Sequence, residues 1–161
     1  MRWLPLVLFA LCAAACKPDL LPGTKVEDTP PNRAVIEFLT RYHAAVVERS
    51  PDAVLKLVAK DYFEDNGTAS PGDDYGIDGL RARLEENFKQ TKEINLDMTV
   101  QKVEREKNLV KVSYRFRQRA LVALPAGDKW LSQSDVNRIV LRADGSVDTT
   151  DPAAFHIVSG L

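Results

Sequence analysis

Little in this sequence can hold a metal or a cofactor. Two histidines and two cysteines among 161 residues leave scant material for the His/Cys sets that transition metals require. No phosphate-cradling glycine loop, nucleophile elbow or zinc motif is present, so no metal and no cofactor is expected. Acidic residues are common, but Asp65, Asp73 and Asp74 lack the regular oxygen-ligand spacing of a calcium loop. The net charge is −1, which gives no reason to expect nucleic acid, a partner that usually selects a basic face. The apolar run from Trp3 to Leu11 is broken by Pro5 and falls short of the roughly twenty residues that cross a bilayer. What remains, 45% hydrophobic and 28% charged, has the composition of one ordinary globular domain.

The first fifteen residues have the layout of a secretory signal: Arg2 as the positive region, the apolar run, then Ala13-Ala14-Ala15. Small residues directly before Cys16 resemble the lipobox of bacterial lipoproteins, although Ala13 stands where that family usually has leucine. The resemblance implies that Cys16 is acylated, becomes the mature N-terminus and attaches the protein to a membrane. Each buried methylene adds ~0.8 kcal/mol, so two or more chains hold a soluble domain on a bilayer. Cys12 leaves with the signal, so no internal disulfide can form. A plain secretory signal cleaved near Ala15 is the alternative, and it leaves Cys16 an idle thiol.

Residues 16–31 carry Pro18, Pro22, Gly23, Pro30 and Pro31 among polar neighbours and read as a lipidated tether without a core. In enterobacterial lipoproteins an aspartate after the lipid cysteine retains the protein at the inner membrane. Lys17 holds that place here, which points to the outer membrane.

From residue 32 the pattern is helical. Val35, Leu39, Tyr42 and Val46 share a stripe with Phe38 beside them, while Arg33, Glu37, Arg41 and Glu48 take the wet side. Ser50-Pro51-Asp52 opens a short second helix, with Ala53, Val54, Leu57 and Val58 as its apolar side. A polar loop over 64–76 follows. Asp78 is placed to cap a third helix, buried through Leu80, Leu84 and Phe88.

After Glu93 the period becomes two. Ile94, Leu96, Met98 and Val100 alternate with polar residues, and Lys107-Asn108 turns the chain. In the segment 109–124, Val110, Val112, Tyr114 and Phe116 face one way, while Lys111, Ser113, Arg115, Arg117 and Arg119 face the other. Alternation of this kind defines a long half-buried strand. Trp130 to Arg142 forms another strand and Phe155 to Ser159 the last. The predicted fold is α+β: three N-terminal helices packed on a curved, mainly antiparallel sheet.

This order of elements resembles the nuclear-transport-factor-2-like superfamily, also called SnoaL-like or ketosteroid-isomerase-like. Asp144-Gly145 and Phe155-His156-Ile157 match its usual ending, with phenylalanine in place of tryptophan. Asp61-Tyr62 and Gly76-Ile77-Asp78-Gly79-Leu80 also look like these proteins. Over residues 32–161 the resemblance implies a cone-shaped roll with a cavity between sheet and helices, and a homodimer through the sheet. It implies no particular reaction, because members include isomerases, dehydratases and non-catalytic binding modules.

The residues offered for a ligand pocket are Tyr42, Tyr62, Tyr114 and Phe116. For a catalytic site they are His43, Asp61 and Tyr62, with Asp61 as a base raised by desolvation. Each of those three also has a structural use: Asp61 ends a helix, Tyr62 packs, and His43 flanks the first helix. His156 alternates away from Phe155 and Ile157. The arginine stripe on the long strand is either a solvated face, neutralised by Asp97 or Asp135, or a surface for an anion or partner. The sequence therefore predicts a membrane-tethered, non-catalytic module of the cell envelope that binds a small apolar ligand or another envelope protein. The alternative is a small cavity enzyme of the isomerase, dehydratase or hydrolase type.

Overall fold

The strand foreseen from its alternation, β4 (Leu109–Val122), is an inner strand of a four-stranded antiparallel sheet, between β3 (Thr91–Glu106) and β5 (Lys129–Ala143), with β6 (Phe155–Ser159) at the far edge. A computed structural model of the chain describes residues 18–68 and 72–161. The expected signal segment 1–15, the candidate lipidation site Cys16 and Lys17 fall outside the described residues. β3 turns through Lys107-Asn108 into β4, and β5 follows. β6 pairs with β5 only from Val140 to Ala143. The stretch of β5 before Ile139 is therefore exposed.

One face of this sheet is dry. Val110, Val112, Ile139, Leu141 and Ile157 are fully buried there, facing α1 (Pro30–Val47) and α2 (Pro51–Leu55). Phe38 of α1 meets Phe155 edge to face, with ring centroids 6.1 Å apart. α2 begins as its residues dictate, with Ser50 Oγ accepting from the Ala53 amide at 3.2 Å and Pro51 in the first turn. The segment after α2 joins the core too: Val58 bridges Ile157, and the Ala59 amide donates to the Ile157 carbonyl at 2.9 Å. Two short strands, β1 (Phe63–Glu64) and β2 (Tyr75–Gly76), pair across the polar loop. α3 (Ile77–Gln90) then covers the open end of the sheet. Its N-cap is Gly76, and Asp78 sits within the first turn, where a carboxylate favours the helix dipole instead of capping.

Two expectations are corrected. The segment 16–31 is not a free tether over its second half. Leu20 bridges Glu27 around Pro22-Gly23, the Lys25 amide donates to the Val100 carbonyl at 2.9 Å, and Leu21 and Val26 are buried. Thr29 caps α1, which starts at Pro30. The domain thus begins near residue 20, because two apolar side chains and an edge-strand hydrogen bond outweigh the proline content. Asp135 is also misplaced: it pairs with Phe116, on the dry side, and not with the arginines. Strand register, which sets the facing of every residue at once, decides this.

Candidate functional site

Between the distal half of the sheet and the helices lies a cavity of about 680 Å³, within the roughly 300–1,000 Å³ usual for small-molecule sites. Its apolar wall is Val46 of α1, Leu84 and Phe88 of α3, Ile94 of β3, Ala120 and Val122 of β4, and Leu131 of β5. Polar residues complete the lining: Asn87, Gln90, Thr91, Gln118 and Gln133, with Ser132 between the β5 residues though its side chain faces out beside Arg119. The mouth is open because β6 is short, leaving Leu131 and its neighbours without a covering strand.

The space itself follows from side-chain size. Along the dry face of β4 the order is Tyr114, Phe116, Gln118, Ala120. The two aromatic rings, 6.3 Å apart, fill the closed part of the cone, and Ala120 leaves room beyond them.

Tyr42 is the expected ligand residue that lines this cavity. Its hydroxyl lies beside that of Tyr114, which accepts from Asn137 Nδ2 at 3.3 Å. Burial pushes both phenols above their ordinary range, Tyr42 the further, so they hold their protons. Tyr114 and Phe116 pack behind the wall and do not line it. Glu86 is the carboxylate of the lining, and it accepts from Gln90 Nε2 at 2.7 Å. Among the described lining residues there is no histidine, lysine or arginine.

The three catalytic candidates go elsewhere. His43 lines a separate cavity of about 430 Å³ between α1, β3 and the Pro22–Thr24 turn, with Nε2 at 2.6 Å from the Leu96 carbonyl. Tyr62 is buried and donates to the Leu161 carbonyl at 3.2 Å, while its own oxygen accepts from the Leu161 amide at 3.1 Å. Tyr75 donates to the same carbonyl. Tyr62 is thus a clasp on the last strand, and its expected place in a ligand pocket is not where the chain puts it. Asp61 lies in a third cavity of about 590 Å³, with Arg142, Asp144 and His156. Both Arg142 terminal nitrogens donate to it, at 2.7 and 2.8 Å.

That fork holds the Asp61 carboxyl down at about 2. The sequence-based expectation of a base raised by desolvation is reversed, because Asp61 is exposed and an arginine faces it. The folded value lies below the ordinary 3.8, so the pair's contribution is complete above pH 3.8 and is lost as pH falls through about 2. In a carbon-detected NMR titration the Asp61 carboxyl should show a midpoint near 2, moving toward 3.8 in Arg142→Gln. An unmoved midpoint in that variant would remove the pairing as the cause.

The sequence missed most of the cavity wall, which comes from the distal ends of β4, β5 and α3. The one available signal was the drop in side-chain volume from Phe116 to Ala120 on a dry face.

No protein-family model matches the sequence, and no curated protein matches it. Solved structures do resemble the chain. A nuclear-transport-factor-2-like superfamily protein from Salmonella enterica serovar Typhimurium superposes with a TM-score of 0.63 at 10% identity, covering 81% of this chain and 87% of that one. A ketosteroid isomerase-like protein from Erwinia carotovora gives 0.60 at 13% identity, over 80% and 91%. A scytalone dehydratase-like protein from Novosphingobium aromaticivorans gives 0.60 at 11% identity, over 80% of each chain. At such identities the likeness defines the fold alone. The chain has the nuclear-transport-factor-2-like fold, α+β with helices packed on a mainly antiparallel sheet.

Proposed function

We propose that the chain is a cell-envelope lipoprotein, acylated at Cys16, whose domain binds a small, uncharged, largely apolar molecule without converting it. The observation that carries this reading is the composition of the 680 Å³ cavity: an apolar wall, polar amides, and Glu86, already hydrogen-bonded, as its carboxylate. General acid–base chemistry needs a tuned acid or base within hydrogen-bond reach of the substrate, and His43 and Asp61 are held by other partners. An uncharged ligand suits a wall that offers no cation or free anion. Lys17 after the cysteine favours the outer membrane as the site of attachment.

The alternative, a small cavity enzyme, draws on the polar cluster of Tyr42, Tyr114 and Asn137. Its hydroxyls are donors of the kind that stabilise a developing oxyanion. Their raised pKa values make them hydrogen-bond donors and poor proton donors, and the wall adds no base to complete a proton transfer.

Two measurements test the proposal. Nile red, a neutral apolar dye, should gain fluorescence on the protein. Ala120→Trp, which places an indole in the cavity, should weaken binding by about tenfold or more, equivalent to ~1.4 kcal/mol. Equal binding by both forms would place the dye elsewhere and remove the cavity as a ligand site. For the anchor, Cys16→Ser should abolish metabolic labelling by a fatty acid, and label retained in that variant would refute acylation at this residue.

A further inference from the structure

The outer face of the sheet carries a charge array that the cavity does not use. Arg115, Arg117 and Arg119 all point away from the dry face and are exposed. At strand spacing their guanidinium groups stand in a row about 7 Å apart. Among the described residues none of the three forms an ion pair. Their neighbours across β5 are Val136, Ser134 and Ser132, and across β3 they are Thr99, Asp97 and Asn95. Asp97, opposite Arg117, is the acid within the row, and Glu93, which accepts from Asn95 Nδ2 at 3.1 Å, flanks its Arg119 end. Glu104 and Glu106, further along the sheet, are already engaged by Lys102 and Lys111 at 2.7 Å. Trp130 lies on the same face, 39% exposed, with the Arg119 guanidinium 5.0 Å from its ring centroid. Val136, 56% exposed, stands beside Arg115.

We propose that this face docks on a membrane rich in anionic lipid headgroups. Guanidinium forks bind phosphate through paired hydrogen bonds, and basic residues near an anionic leaflet are attracted within a Debye length. Exposed tryptophan beside them belongs at the headgroup level, with an apolar ring and a wet edge. The three arginines line none of the three cavities, so they suit an extended sheet of phosphates and not one phosphate in a recess. An acidic protein would meet the same charges, but Trp130 and Val136 favour a partner with an apolar layer beneath its charges. A second copy stacked with its arginine row on this one would set like charges against each other. The inference stands apart from the cavity ligand and from acylation of Cys16.

The test uses the full chain with Cys16→Ser, to exclude acylation, and Trp3→Phe, which leaves Trp130 as the sole tryptophan. Vesicles contain phosphatidylcholine alone or mixed with phosphatidylglycerol, each with a headgroup-level spin label. Trp130 fluorescence should be quenched on the mixed vesicles, spared on the neutral ones, and recover as salt is raised. Replacing the three arginines together by glutamine should weaken this binding by about a hundredfold. Absence of Trp130 quenching on mixed vesicles overturns the proposal, as does equal quenching on neutral vesicles or by the triple variant. Silence on vesicles combined with self-association in sedimentation would assign the face to a second copy instead.

Discussion

Cutting the chain before Asn32 should lower the thermal midpoint by about 10 °C or more. Leu21 and Val26 are 8% and 6% exposed, and burial of each side chain contributes roughly 2 kcal/mol. Thr29 caps α1, and loss of a cap costs ~1 kcal/mol. The cut also strands Asn32, a buried polar residue whose Nδ2 donates to the Glu27 carbonyl at 2.8 Å and whose Oδ1 already has no partner among the described residues. A net loss of about 4 kcal/mol is expected from a buried segment of this kind, and each kcal/mol moves the midpoint of a domain this size by roughly 2–4 °C. Circular dichroism melts of the two forms check it. A shift of only a few degrees would mean that residues 20–29 are the tether their proline content suggests.

Gly160→Ala should be comparably damaging through one methyl group. Gly160 has φ +98°, a conformation side chains rarely adopt, and an added Cβ would lie 2.1 Å from the Arg138 carbonyl oxygen and 3.0 Å from Ile139 Cα. Both obstacles are backbone, so the chain end must move away from β5. That movement breaks the Gly160 amide's bond to Glu64 and the bond from Asn137 to the Gly160 carbonyl. The Tyr62 and Tyr75 clasp on Leu161 would go with them. The expected loss is about 3 kcal/mol or more, read by chemical denaturation. Since Asn137 also donates to Tyr114, Nile red affinity should fall with it. A variant within about 1 kcal/mol of the parent would show that the end of β6 has room to shift.

The sequence made some of this legible and hid the rest for physical reasons. Alternation in β4 was visible because a half-buried strand must separate wet from dry at every second residue. The order of helices and strands was likewise enough to reach the fold. Docking of residues 20–29 was concealed by Pro22 and Gly23, although Leu21 and Val26 on either side of that turn were the available sign of a small hairpin. The facing of Asp135 depended on the connection from 123 to 128, whose length sets the register of β5. Site assignment failed most where long-range pairing decides. Nothing in the local sequence places Arg142 opposite Asp61, or the Leu96 carbonyl against His43, or Leu161 under Tyr62. Tyr42 was found because helical spacing alone puts it on the inner side of α1.

The cone between α1, α3 and the distal sheet should receive a neutral apolar molecule. Methyl-resolved NMR during a Nile red titration tests it most directly. Shifts should concentrate at Leu84, Ile94, Val122 and Leu131, with Val54 and Leu141 in the closed core unmoved. Shifts centred on Leu96 and Met98 of the His43 cavity, or on Val136 of the outer face, with the four wall methyls silent, would contradict it.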